Sequence, residues 1–520
     1  MRAFLLFLAL AGAAGADTLA LHDGRFFEGR PIEKTDAGFS IKFEHGEIVV
    51  PMEMVSAYFK DGGGEEFIPA NDLEKEKFEK GYLPWKGRWI RKSEWERYQK
   101  KEIEARRLRM EQMKERRLWR NHAVVKTRRF EFHHTLPDEV FAEFQDLFET
   151  YYDYFTKFWK FSPSAKFGKV TINIYHDREY FEQVSGAPSG VVGYYMPHKR
   201  DLHFYYDREN HRYTIDVMFH EGNHMLTHMI DEKMWYPWWI GEGMAEYFGA
   251  SEWDPAEKTM KLGRLQSGRL AVLHAQIRDE KWLKLKDLIS SEGMGAIGYA
   301  WTWSFCHFLL HTPQYEKNFR RYFMAIGRDG SLRRVPRFLN IVQLHPEEQV
   351  ESFMKYMKVK DLEALQEEWY EYIKNALSLD RVELDWGEAG YIMSMYGEAA
   401  KARKYFKKAI DQGSKAAYVH YGYASLTMQP RMRGVAATCA RTAVEFDPLH
   451  ARAWSLLGQS LHVQGEKDEG LRLLELAVEM APDDQQVWFG LEQAKQRDRA
   501  EKEQGGAAPP PPKEEEGDDD

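Results

Sequence analysis

No part of the chain limits its fold more tightly than the run His220-Glu221-Gly222-Asn223-His224, followed after seventeen intervening residues by Glu242. On a helix two histidines at this spacing project from one face, and a helix is expected over 214–230. Ile215, Val217, Met218, Phe219, Met225, Leu226 and Met229 would seat it in a core. Two neutral imidazoles on one face suit Zn2+, and the intervening carboxylate, Glu221, sits where it can act as general base on a zinc-bound water. Glu242 supplies a third ligand from a second helix within Trp238-Trp239-Ile240-Gly241-Glu242-Gly243-Met244-Ala245-Glu246-Tyr247. Glu246, one turn further on, is placed to accept a hydrogen bond from a ligating imidazole and fix its tautomer. Three protein ligands leave a fourth position open, which disfavours a purely structural zinc site.

The segments ahead of this motif read as a helix-plus-sheet layer. A long aromatic amphipathic helix is expected over 137–159, and Val170-Thr171-Ile172-Asn173-Ile174-Tyr175 alternates like a strand. Gly190 to Tyr195 and Leu202 to Tyr206, joined by Pro197-His198-Lys199-Arg200-Asp201, form a predicted hairpin leading directly to the motif helix.

At His220, Glu221, His224, Glu242 and Glu246 the sequence resembles the gluzincin metallopeptidases, and more closely the peptidase-MA-like domains with a W-x-x-E-G-x-A-E-Y ligand segment. The resemblance covers about 130–375 and implies an α+β zincin-type fold. In that fold the hairpin strand before the motif helix forms an edge for extended peptide substrate. It also implies a later Tyr or His against the oxyanion, and Tyr299, opening Tyr299-Ala300-Trp301-Thr302-Trp303-Ser304-Phe305, is the candidate. Core packing is the competing role for that aromatic. The chain has no clear counterpart of the glycine-rich exopeptidase signature, which favours an endopeptidase or an unusual specificity.

Other histidines read as ordinary. His228 continues the four-residue row but lies a further turn from the metal, so a supporting or surface role is expected, and His133, His134, His203 and His211 lack partners at ligand spacing. Gly222 costs a helix about 1 kcal/mol relative to Ala, which points to a close neighbour.

A second constraint lies at the far end. Ala402, Ala436 and Gly470 repeat at 34 residues, as do Phe406, Ala440 and Leu474, and Ala409, Ala443 and Ala477. Pro448 and Pro482 keep the interval, while Trp386 and Gly390 open the first unit as Trp454 and Gly458 open the last. This is the tetratricopeptide pattern, predicting about three helical pairs over 379–498 and a surface for a protein partner.

The remaining segments are accessory. Residues 1–16, with Arg2, an apolar run and Ala14-Gly15-Ala16, have the form of a signal peptide, so an exported (secreted or periplasmic) protein without a membrane span after cleavage is expected. Residues 17–60 alternate short β-rich runs with turns, suggesting a small β-barrel or sheet module. Gly62-Gly63-Gly64 marks a break, and 61–128 reads as a charged helical linker: between Arg97 and Arg120 ten basic residues face four acidic ones. Ile103, Leu108, Met110 and Met113 are expected to be partly covered there. The formal net charge of −9 argues against nucleic acid as a general partner. Cys306 and Cys439 are the only cysteines, expected as buried free thiols, and the acidic, proline-bearing tail over 499–520 is expected to be disordered.

These features predict a multidomain chain: a small N-terminal β module, an α+β metallopeptidase domain over 129–378, and an all-α repeat array. The expected function is zinc-dependent endopeptidase action on a peptide or protein substrate. The alternative is a catalytically silent scaffold of the same fold that binds partners through its array; the intact Glu221 speaks against it.

Overall fold

A computed structural model describes residues 17–59, 72–163, 167–230, 236–326, 346–482 and 484–505. The expected signal peptide over 1–16, the Gly62-Gly63-Gly64 break and the tail beyond 505 lie outside the described residues. The chain divides into two compact units, Met1–Phe39 with Pro51–Gly397, and Ser40–Val50 with Glu398–Asp520. Small N-terminal sheets, a central α/β region and a C-terminal helical stack make up its architecture. Among the described residues no helix is long and apolar enough to cross a membrane.

The N-terminal strands are β1 (Thr18–Leu21), β2 (Phe26–Glu28), β3 (Ile32–Thr35), β4 (Gly38–Lys42), β5 (Glu47–Val50) and β6 (Val55–Phe59). β1 lies between β2 and β6 in an open three-stranded sheet rather than a barrel. The module expected over 17–60 is not one body, because Ser40–Val50 belongs to the second unit.

The linker expected over 61–128 is more structured than its charge suggests. Helix α1 (Asp72–Glu79) precedes a hairpin of β7 (Tyr82–Trp85) and β8 (Arg88–Arg91), which turns at Lys86 and Gly87, both with positive φ. Lys-Gly supports this turn because glycine carries no Cβ penalty there. The charged helix is α2 (Lys92–Arg116), where Leu108 is 54% exposed rather than covered.

Next, β9 (Ala123–Lys126) pairs antiparallel with β10 (Phe130–His134), so the central sheet begins before the expected boundary at 129. The sheet is completed by β11 (Val170–Tyr175), β12 (Gly193–Met196) and β13 (Asp201–Tyr205), in the order β12-β13-β11-β10-β9. β10, β11 and β13 run parallel, and β12 is the antiparallel strand at one end. Helix α3 (Asp138–Trp159) buries Phe141, Phe144, Leu147, Phe148, Tyr151, Phe155 and Trp159 on one face; α4 (Arg178–Ser185) buries Phe181 beside Tyr175 and Tyr205.

The rest of the first unit is helical: α5 (His211–His228), α6 (Trp238–Gly249), the short pair β14 (Glu252–Asp254) and β15 (Thr259–Lys261), then α7 (Ser267–Arg278), α8 (Leu285–Ser290), α9 (Gly295–His311), α10 (Pro313–Ile326), α11 (Pro346–Met357), α12 (Leu362–Asn375) and α13 (Trp386–Met395). The sequence places α13 at the start of the repeat array, yet it packs against α7 and belongs to the first unit, so the break falls after Gly397 rather than at 378.

In the second unit, α14 (Ala399–Asp411), α15 (Ala417–Ser425), α16 (Arg433–Phe446), α17 (Ala451–Gln464), α18 (Lys467–Met480) and α19 (Gln485–Gly505) stack in sequence order. Ala402, Ala436 and Ala440 are fully buried at the crossings, and a Cβ on Gly470 would lie 2.7 Å from the Gly458 carbonyl oxygen. The 34-residue interval recurs in hydrogen bonding: the Trp454 indole donates to the Pro448 carbonyl (2.8 Å), and Trp488 to Pro482 (2.7 Å). The hairpin of β4 and β5 rests its tip on α18, with the Glu44 and His45 N–H groups donating to the Glu479 carboxylate. α19 continues to Gly505, so the chain is helical past the expected start of the tail at 499. Cys306 is buried and Cys439 half-buried, both as free thiols.

Candidate metal centre

Asn210 starts α5 by accepting the Tyr213 N–H, which satisfies one of the orphan donors of the first turn. Ile215, Met218, Phe219, Met225 and Leu226 then bury the inner face. Gly222 has a packing reason: a Cβ there would stand 3.1 Å from the ring of Tyr151, whose hydroxyl donates to the Phe219 carbonyl at 3.2 Å. Helix α6 starts after Pro237 and crosses α9 at Gly243, where a Cβ would meet Cys306 Sγ at 2.6 Å and the Thr302 carbonyl oxygen at 2.7 Å. This close crossing sets the depth at which Glu242 faces α5.

The structure brings His220, His224 and Glu242 together. One donor atom from each lies within 4.8 Å of the others, with His220 Nε2 and His224 Nε2 at 3.3 and 3.6 Å from Glu242 Oε2. Zinc bonds to such donors at about 2.0–2.1 Å, and a tetrahedron of that size has edges of about 3.4 Å. The donor set and its spacing therefore fit zinc. Glu221 is half-buried on the same helix, and its Cγ would lie 3.2 Å from a Cβ on Gly193 of β12. The end strand of the sheet thus passes beside Glu221.

Behind the donors lies a buried anchor. His220 Nδ1 faces Glu246 Oε1 at 3.1 Å, leaving Nε2 to face Glu242. Glu246 is 2% exposed and is gripped by Arg269 through Nε (2.6 Å) and Nη2 (2.7 Å). Burial opposes the Glu246 charge, but Arg269 and then His220 outweigh it and hold its pKa down to about 2. Burial likewise opposes a charged His220, yet Glu242 and Glu246 raise its pKa well above the usual range. Glu242 is held low against burial by His224 and His220. Such a concentration of carboxylate suits a bound cation.

Tyr299 on α9 stands beside the donors, its ring centroid 6.0 Å from that of His220 and 5.1 Å from the Arg269 guanidinium carbon. Burial, followed by Glu242 and Glu246, pushes its phenol pKa up. His228 points elsewhere: its Nδ1 is 2.8 Å from the Tyr195 hydroxyl on β12. His133 pairs with His122 and Glu131, His203 with Tyr175 and Asn173, His211 with Glu143, and His134 stacks on Phe141.

Two features escape sequence reasoning. Arg269 lies 23 residues beyond Glu246 in no motif, and only the fold aims it at the anchor. Glu44, His45 and Glu479 form a second group of possible donors. There, however, both Glu479 oxygens already accept backbone N–H groups, which accounts for the cluster as a docking contact.

No protein-family model and no curated protein matches the chain. Among solved structures, the crystal structure of the Sgt2 TPR domain from Aspergillus fumigatus matches at 22% identity with a TM-score of 0.21, covering 24% of this chain and 83% of that chain.

Proposed function

We propose that the chain is a zinc-dependent metallopeptidase of the gluzincin type that cleaves internal peptide bonds. The observation that carries this reading is the convergence of His220, His224 and Glu242, with Glu221 on the same helix beside the end strand β12. His220, His224 and Glu242 would hold the ion, which when bound supplies Lewis-acid polarisation of the scissile carbonyl.

The residues divide the remaining work. Glu221 takes a proton from the attacking water as the new C–O bond forms, and returns it to the nitrogen as the C–N bond breaks. Tyr299 offers its hydroxyl to the developing oxyanion. Glu246 fixes His220 with Nε2 toward the site. β12, at the end of the sheet order, offers backbone groups for an extended peptide to add as a further strand.

The C-terminal stack is read as tetratricopeptide repeats that recruit a protein partner, supported by the 34-residue interval and by Trp488 and Phe489, which are 44% and 63% exposed. Export through residues 1–16 completes the proposal.

Glu221→Gln is the test. The variant should retain zinc and lose cleavage of a peptide library that the native chain cuts; cleavage at the native rate would rule out Glu221 as the base.

A further inference from the structure

The first turn of α7 is held at three successive residues by the segment around α13. Ser267 Oγ accepts the Asp385 N–H at 2.9 Å, the Gly268 N–H donates to Glu388 Oε1 at 2.9 Å, and Arg269 Nη1 donates to the Tyr396 hydroxyl. The fit is close, since a Cβ on Gly268 would stand 2.4 Å from Ile392 Cγ1. Tyr396 also donates to the Ala296 carbonyl at 3.0 Å, in the first turn of the helix that carries Tyr299. A continuous chain of contacts therefore runs from Tyr396 through Arg269 and Glu246 to His220, with the Arg269 guanidinium lying over the Tyr299 ring.

We infer that Arg269 is a positioning residue of the metal centre, and that α13, through Tyr396, is an integral part of that centre rather than the opening of a separate repeat array. A buried ion pair is a poor source of stability, because apolar residues of similar volume often serve as well. What the bidentate fork supplies is a single orientation of the Glu246 carboxylate, and hence of the His220 ring. Its planar geometry is the specific requirement, so a lysine in its place keeps the charge and loses the orientation.

The inference rests on the zinc-centre reading, so zinc affinity is measured first on the intact native chain by competition with a chromogenic chelator, and then on Arg269→Met, Arg269→Lys and Tyr396→Phe. Cobalt substitution gives the visible spectrum of each site. Loss of a group supporting a ligand typically weakens metal binding about 10- to 100-fold, which is the expectation for Arg269→Met and Arg269→Lys, each with an altered cobalt spectrum. Tyr396→Phe, one contact further out, should weaken binding about 3-fold or more in the same direction.

A lower melting temperature with native zinc affinity and an unchanged cobalt spectrum would assign Arg269 a structural role and overturn the inference. Should Arg269→Met fail to fold, Arg269→Lys and Tyr396→Phe decide by the same criterion. If the native chain takes up no zinc, the zinc-centre reading itself falls and the inference falls with it; native uptake with indifferent variants sinks the inference alone.

Discussion

Protonation of His134 should be a measurable drain on stability below neutral pH. The residue closes β10 with 1% of its surface exposed, its ring stacked on Phe141 at 3.7 Å and 2°. Burial, opposed in part by Asp138, pushes its pKa from 6.5 down to about 4. The folded state thus favours the neutral ring, so its contribution is complete above pH 6.5 and is lost as pH falls toward 4. A gap of about 2.5 pH units between unfolded and folded states corresponds to about 3.4 kcal/mol, of which about 2 kcal/mol is lost between pH 7.5 and pH 5. His134→Phe keeps an aromatic ring on Phe141 and removes the titration. Urea unfolding of both proteins at the two pH values supplies the assay, and taking the difference cancels the other histidines that burial holds low, His203 and His307 among them. Native protein should lose about 2 kcal/mol more than the variant over this range. Equal losses would show that His134 is protonated in the folded state without penalty, and would refute the reasoning.

Two further outcomes follow from the site. Gly243→Val should destabilise the chain by about 1–3 kcal/mol or more, because the added carbons meet the Thr302 backbone and Cys306, and zinc affinity should fall as Glu242 is displaced; calorimetry and chelator competition check the two effects separately. Glu221→Gln should lower the cleavage rate by about 10²- to 10⁴-fold, the usual worth of a positioned general base, with zinc content unchanged in elemental analysis.

The residues of the centre were legible because each obeys a local rule. Histidines four apart on a helix share a face, and the same spacing puts Glu242 and Glu246 on one side of α6, so a linear reading already places His220, Glu221, His224, Glu242 and Glu246. Tyr299 could be named only through the resemblance, since an aromatic on an apolar helix has no local signature that separates packing from chemistry. Arg269 and Tyr396 were invisible for a different reason: they reach the site by tertiary contact across α7 and α13, and no spacing encodes it. The same limit displaced the boundaries. Charge along Arg97–Arg120 concealed that the following strand, Ala123–Lys126, completes the sheet, because register with β10 is a long-range property. The 34-residue period located the helices of the stack but assigned α13 by rhythm, whereas its partners on α7 keep it in the first unit.

Zinc content of the purified chain, set beside that of His224→Ala, bears most directly on the proposed centre. About one zinc per native chain, with a loss in the variant, is the outcome the geometry of His220, His224 and Glu242 predicts. A native chain that stays free of zinc after reconstitution, or a variant that binds it as tightly, would contradict the metallopeptidase reading.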